Sequence, residues 1–168
     1  MKISIITPSY NQGDFIEQTI RSVVVDQNYN NIEYIVIDGG SSDQTVDILK
    51  KYDEKIHYWI SEPDNGQTDA INKGVAMATG DIITWLCSDD YYEPGIFNKM
   101  IKAFSENSEL NLVCGNRRTF GKGYLDRKYP GANLKSRIED TLLFGGFDQP
   151  PSFFRSEAYK RLFPLSEQ

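Results

Sequence analysis

The chain has 168 residues, 39% hydrophobic and 25% charged, which suits one soluble globular domain with a real core and excludes a disordered chain. Lys and Arg number 18 against 24 Asp and Glu; the net charge of −6 argues against a nucleic-acid surface and leaves a phosphorylated ligand in need of a bridging cation. No apolar run approaches membrane-spanning length, and Met1-Lys2-Ile3 leads straight into a strand without a signal peptide. Cys87 and Cys114 lie in apolar, strand-like runs without zinc-ligand spacing and read as buried free thiols, so the expectation is a reduced, cytoplasmic protein.

In chain order, residues 2–6 form a short apolar strand, followed by the loop Thr7-Pro8-Ser9-Tyr10-Asn11-Gln12-Gly13. Asp14 with Glu17 has the spacing of a capping box, and Phe15, Thr19, Ile20, Val23 and Val24 then fall at helical spacing. Tyr34-Ile35-Val36-Ile37-Asp38 is a second buried strand that ends in a carboxylate. Gly39-Gly40 permits a tight turn, after which Ser41 and Gln44 can cap a helix running to about Lys51. Residues 56–61 are a third strand, Asp64-Asn65-Gly66 a turn, and residues 67–78 a helix stopped at Thr79-Gly80. The run Ile82-Ile83-Thr84-Trp85-Leu86-Cys87 is a fourth strand that stops at Ser88-Asp89-Asp90. Pro94 suits the first turn of the next helix, with Ile96, Phe97, Met100, Ile101 and Phe104 as its apolar positions.

Four strand–helix alternations with short links demand a parallel, doubly wound α/β sheet. Past Asn107 the rhythm changes. Residues 110–114 read as a strand, 117–129 as a loose hairpin, 134–143 as a helix, and Phe144-Gly145-Gly146-Phe147 as a loop. A short strand over 150–155 and a helix from Glu157 complete the chain.

Three strand ends, Thr7-Pro8-Ser9-Tyr10, Asp38-Gly39-Gly40-Ser41 and Ser88-Asp89-Asp90, would line one rim of such a sheet, where α/β proteins bind ligands. Asp38 accepts hydrogen bonds only, which suits a base N–H or a ribose hydroxyl, although an ordinary Asx turn accounts for it equally well. Tyr10 offers a ring for stacking on a base. Asp89 and Asp90 repel each other unless a cation sits beside them; a hard divalent ion completed by substrate phosphates answers that need, and a plain surface turn is the bland alternative. The P-loop pattern and the dinucleotide glycine fingerprint do not occur, which disfavours a flavin- or nicotinamide-binding domain. His57 is the only histidine and lies mid-strand, so histidine triads have no base.

The segments Ser4-Ile5-Ile6-Thr7-Pro8-Ser9-Tyr10-Asn11, Val36-Ile37-Asp38-Gly39-Gly40-Ser41-Ser42-Asp43-Gln44-Thr45, Asp64-Asn65-Gly66-Gln67-Thr68-Asp69-Ala70-Ile71-Asn72-Lys73-Gly74 and Trp85-Leu86-Cys87-Ser88-Asp89-Asp90 together resemble the inverting nucleotide-sugar glycosyltransferases of family two. That resemblance implies the GT-A fold, a Rossmann-like α/β architecture with a mostly parallel central sheet. It is strong over residues 2–100 and thinner over 145–155. It implies that Asp38 contacts the base while Pro8, Ser9, Tyr10 and Gly39 shape the nucleotide pocket. Asp89 would hold the ribose, and Asp90 would bind Mn²⁺ or Mg²⁺ as the end of a D-x-D-type motif whose first acid is here replaced by Ser88, itself a substrate-binding position. Gln67, Asp69 and Lys73 map onto the segment bordering the diphosphate and donor sugar.

An inverting transferase needs a base to deprotonate the acceptor hydroxyl. The resemblance places that acid just beyond Gln168, which makes residues 1–107 a nucleotide-binding half and 108–168 the start of an acceptor-side half, truncated at its C-terminus. Within the chain Asp148 is the weaker candidate, and Glu139 and Asp140 read as a solvated helix face. Phe144 to Phe147 and Tyr124 suit an acceptor surface or core packing equally. The expected partners are a nucleotide-sugar donor, with UDP as the expected nucleotide, and a glycan or lipid-linked acceptor, with peripheral membrane association of the intact protein and no nucleic acid. The competing reading is a nucleotide-sugar-binding module without turnover.

Overall fold

In the computed structural model the described residues are 1–119, 127–129, 152–161 and 164–165. Strands β1 (Ile3–Ser9), β2 (Ile32–Asp38), β3 (Tyr58–Ser61) and β4 (Ile82–Trp85) alternate with helices α1 (Ile16–Val24), α2 (Thr45–Lys51) and α3 (Gln67–Met77). After β4 come α4 (Ile96–Glu106), β5 (Leu112–Cys114), the strands β6 (Arg117–Thr119) and β7 (Arg127–Tyr129), β8 (Ser152–Arg155) and α5 (Ser156–Lys160). The central sheet has six strands in the order β3-β2-β1-β4-β8-β5, and β6 pairs with β7 in a separate ribbon.

Strands β1 to β4 are mutually parallel, as the short βα links require. The parallel expectation fails only at β8, which runs antiparallel between β4 and β5. Nothing in the local pattern of residues 152–155 announces that insertion, because a strand buried on both faces reads alike in either direction. The helices expected at residues 134–143 and the loop at 144–147 lie outside the described residues.

Alternation along each strand divides the core into two layers. Ile3, Ile5, Tyr34, Val36, Ile82 and Phe153 pack with α1, α2 and α4 on one face. Ile6, Ile35, Ile37, Ile83 and Phe154 pack with α3 and Tyr159 of α5 on the other. Tyr92, Phe97 and Phe153 form an aromatic cluster on the first face, with centroids 5.3–6.2 Å apart. Phe154 and Tyr159 stack at 4.6 Å on the second.

Several local expectations shift. Asp14 and Glu17 do not make a capping box: α1 opens at Ile16 without a side-chain cap, Asp14 accepts from Gln44 Nε2 at 3.1 Å, and Glu17 binds Lys51 at the end of α2 and Tyr52 just beyond it. Ser41 does not cap α2 either, because Asp38 takes its hydroxyl; Asp43 Oδ1 instead accepts from the Thr45 N–H at 2.9 Å. At Asp14 and Glu17 partners from another segment outcompete the local ones; at Ser41 the carboxylate that ends β2 does. Pro94 precedes α4 by one residue beyond Gly95, whose left-handed φ of 79° opens the helix. His57 lies just ahead of β3, its N–H bonded to the Tyr34 carbonyl.

Candidate functional site

Within β1 to β4, the chain steps outward from β1 through β2 to β3, then crosses back to β4 on the far side of β1. A crevice forms at the carboxyl ends of strands where the order reverses in this way. The three predicted strand ends meet there, since β2, β1 and β4 are neighbours and Ser9 is in register with Asp38.

The first wall is the β1–α1 loop, stitched to the β2–α2 loop. The Asn11 N–H donates to Ser41 Oγ at 2.7 Å, and the Ser42 N–H donates back to Asn11 Oδ1 at 2.9 Å. The Gln12 and Gly13 N–H groups donate to Thr45 Oγ1 and Asp43 Oδ2. Asn11 takes a left-handed φ of 51°, a conformation asparagine tolerates well. Pro8 and Ser9 are buried, whereas the Tyr10 ring is 62% exposed and open to a planar ligand. Among the described residues the buried Ser9 hydroxyl has no hydrogen-bond partner.

Asp38 is fully buried. Its carboxylate accepts from the Ser41 N–H (2.9 Å), Ser41 Oγ (2.5 Å) and Ser61 Oγ (2.6 Å). A carboxylate has about four acceptor positions, so the chain's own donors fill three. Asp38 thus acts first as the peg that fixes the rim. Gly39 lies at a close approach: a Cβ there would lie 3.0 Å from Asp64 Oδ1, so the Asp64 side chain would have to yield by a few tenths of an ångström.

The second wall follows β4. Leu86 still donates to the Ile6 carbonyl, but from Cys87 onward the chain is loop; the thiol is half-buried, as is that of Cys114, and not sealed in a strand as the sequence suggests. Thr19 of α1 is buried, and its hydroxyl lies 2.8 Å from the Ser88 carbonyl and 2.7 Å from that of Asp90, holding the turn in place. Asp89 is exposed and Asp90 half-buried. Cys87 Sγ and one carboxylate oxygen from each of Asp89 and Asp90 lie within 4.8 Å of one another. Burial, then the charge of Asp89, pushes the Asp90 carboxyl up to about 6 against the opposing pull of Arg117. Burial, with Asp90 and Asp89, raises the Cys87 thiol to about 11. Two carboxylates in this state suit a hard divalent cation; the protonated thiol is the poorer donor, so the residues present fit Mg²⁺ or Mn²⁺.

The N-terminus of α3 closes the crevice. Gln67 Nε2 donates to Cys87 Sγ at 3.3 Å, joining α3 to the β4 loop. Asp64 accepts from the Gly66 N–H and Asp69 from the Asn65 N–H, the latter holding the Asp69 carboxyl below its ordinary range. Lys73 lies 3.4 Å from Asp69 and 3.3 Å from Glu62. The structure therefore brings Pro8, Ser9, Tyr10, Asp38, Gly39, Gln67, Asp69, Lys73, Ser88, Asp89 and Asp90 to one end of the sheet. The roles of Thr19 and Arg117 escaped the sequence reading, since one reads only as a position on the apolar side of a helix and the other belongs to the loose hairpin. Asp148, Glu139, Asp140, Tyr124, residues 144–147 and Gln168 lie outside the described residues.

The description of glycosyl transferase family 2 matches residues 4–163, nearly the whole chain. The chain belongs to glycosyl transferase family 2. It is 38% identical over 114 residues to the uncharacterized glycosyltransferase Rv1514c of Mycobacterium tuberculosis, covering 67% of this chain and 44% of that protein. Residues 1–349 of TarS from S. aureus, solved in complex with UDP-GlcNAc, superpose with a TM-score of 0.71 at 26% identity, covering 96% of this chain and 47% of that one. The mannosyltransferase PcManGT of Pyrobaculum calidifontis, solved with GDP-Man and Mn²⁺, shares the fold with a TM-score of 0.69 at 18% identity, covering 96% of this chain and 46% of that one. The architecture is the GT-A fold, and the family 2 chain described here spans about half the length of these relatives. Among its described residues no helix is long and apolar enough to cross a membrane.

Proposed function

We propose that this chain forms the donor-binding portion of an inverting, metal-dependent glycosyltransferase that moves a sugar from a nucleotide-sugar, with UDP as the nucleotide, to a glycan or lipid-linked acceptor. The observation that carries the reading is the Asp89–Asp90 pair at the switch point of the sheet, facing the rim built from Tyr10, Asp38 and Gly39. Family membership supports it, and UDP-GlcNAc in the TarS structure supports the choice of donor.

In this reading Tyr10 stacks on the base, and Asp38 offers its remaining acceptor position to a base N–H from within its serine frame. Asp89 takes ribose hydroxyls beside Ser88. Asp90 holds Mn²⁺ or Mg²⁺, which when bound neutralises charge on the departing nucleoside diphosphate. Gln67, Asp69 and Lys73 orient the diphosphate and donor sugar near the N-terminus of α3, where the helix dipole favours anions.

Inversion requires a base on the acceptor side. Within residues 1–168 the candidate for that base is Asp148. Residues 1–107 then form the nucleotide half and 108–168 open the acceptor half of a cytoplasmic enzyme, at the inner membrane face if its acceptor is lipid-linked.

The deciding experiment is thermal stability with millimolar UDP, with and without Mn²⁺, on the wild type and on Asp90→Ala. A ligand that binds only the folded state raises the melting temperature by mass action. The expected result is stabilisation that needs Mn²⁺ and disappears in Asp90→Ala. No shift in the wild type with metal would remove UDP as the nucleotide that this chain binds.

A further inference from the structure

A row of polar side chains on α1 and just beyond it reaches the loop between β4 and α4. Residues 86–95 have neither helix nor strand, and the Asp90 N–H, 3.1 Å from the Cys87 carbonyl, closes the turn at Ser88-Asp89. Thr19 Oγ1 lies 2.8 Å from the Ser88 carbonyl and 2.7 Å from that of Asp90. One turn along the helix, Ser22 Oγ accepts from the Tyr92 N–H at 3.2 Å and donates to the Thr19 carbonyl at 2.7 Å. Gln27 ends the row. Its Nε2 donates to the Ser22 carbonyl at 2.9 Å and to the Glu93 carbonyl at 3.1 Å, while its Oε1 accepts from the Gly95 N–H at 3.0 Å.

Packing does not account for hydroxyls at these positions. Thr19 and Ser22 are 1% and 2% exposed, on a helix whose Ile16, Ile20 and Val23 are buried in the core. A buried hydroxyl is costly unless it is bonded, and an apolar side chain of similar size would serve the core at least as well. What the hydroxyls add is placement. Thr19 has one hydroxyl proton for two carbonyls, so the backbone on both sides of Asp89 is drawn to a single point. With Tyr92 held by Ser22, the directions in which the Asp89 and Asp90 side chains leave the chain are set from α1. Such control matters for a metal ligand, which works only when held to within roughly 0.5 Å and 10–20°.

We infer that Thr19 and Ser22 are positioning residues for the cation site: acting through the backbone of residues 88–92, their hydroxyls set the affinity of Asp90 for a divalent ion. The inference rests on the metal reading of Asp90 above and goes beyond it, by giving control of cation binding to the buried face of a helix. The competing account is ordinary loop anchoring, which would lower stability and leave cation affinity untouched.

The test is the Mn²⁺ affinity of the 168-residue chain at fixed millimolar UDP, read from water-proton relaxation, beside the metal-free melting temperature of each variant. The variants are Thr19→Val, Thr19→Ser, Ser22→Ala, Asp90→Ala and Glu33→Gln, the last a buried position near the start of β2 and far from the crevice. Thr19→Val should weaken Mn²⁺ binding about tenfold or more, the usual cost of losing a group that orients a metal ligand. Ser22→Ala should act in the same direction by less, and Thr19→Ser should keep the wild-type affinity. Glu33→Gln should lose stability and bind Mn²⁺ as the wild type does. Wild-type affinity in Thr19→Val and Ser22→Ala, with binding lost in Asp90→Ala, would overturn the inference and leave the metal reading standing. Equal weakening in Thr19→Ser and Thr19→Val would also overturn it, by assigning the effect to packing. Should Thr19→Val fail to fold, Ser22→Ala decides alone, and wild-type affinity there overturns the inference. A wild type that holds no Mn²⁺ would remove the metal reading of Asp90 and this inference with it.

Discussion

Asp90 is held where its charge is disfavoured. Burial and Asp89 raise its carboxyl to about 6, a cost the fold retains in the absence of a cation. Asp90→Asn should therefore raise the metal-free melting temperature by about 2–4 °C, on the order of 1 kcal/mol after discounting for solvent screening. The same variant should abolish the Mn²⁺-dependent response to UDP. Scanning calorimetry with and without Mn²⁺ checks both halves, and a metal-free loss of stability would contradict the account.

Glu33 is the opposite case, at the other end of the sheet. Burial alone would push its carboxyl up, but hydrogen bonds from Lys2, Ser4 and Thr79 outweigh that and hold it at about 2. Since the folded value lies below the ordinary 4.5, its contribution is fully present above about pH 4.5 and is lost as pH falls toward 2. Glu33→Gln should cost about 2 kcal/mol at pH 7 and flatten the acid limb of stability, as measured by denaturant titration across pH 2–7. The sequence shows Glu33 only as a polar residue at the head of a strand. Its partners come from two separate segments, residues 2–4 and Thr79, which no local pattern connects.

At the scale of elements, the packing of α3 on β1 depends on one glycine. A Cβ at Gly74 would fall 2.4 Å from Ile6 Cγ2. Gly74→Ala should destabilise the fold by about 1–3 kcal/mol despite alanine's better helix propensity, read as a lower urea midpoint at unchanged m-value. Arg155 performs a related service at the end of α4. Its Nε donates to the Leu110 carbonyl at 2.7 Å, and Nη2 donates to the Phe104 carbonyl at 2.9 Å. Helix and strand existence was readable because periodicity and chain breakers act locally. Caps were misassigned at Asp14 and Ser41 because those side chains are bonded elsewhere: Asp14 accepts from Gln44 of the facing loop, and Ser41 Oγ donates to Asp38 and accepts from the Asn11 N–H.

At the scale of the whole molecule, stability should be graded across the sheet. β1 is fully buried and paired on both sides, whereas β3 and β5 are the sheet's edges. Amides of β1 should exchange with solvent only on global unfolding, and those of β5 earlier, by hydrogen exchange at neutral pH. Early exchange in β1 would contradict the burial and pairing described.

The sequence by itself determined the alternating α/β rhythm, the parallel run of four strands and the carboxylates at their ends. Each of these follows from short-range constraints: apolar periodicity, glycine at turns, and links too short for any other connection. Tertiary structure alone decided that β8 enters antiparallel beside β4, that Thr19 secures the Asp89–Asp90 turn, that Ser41 and Ser61 claim Asp38, and that Arg117 reaches the site. These depend on which distant segments become neighbours. That is settled by burying two apolar faces of one sheet at once, a condition on the whole chain.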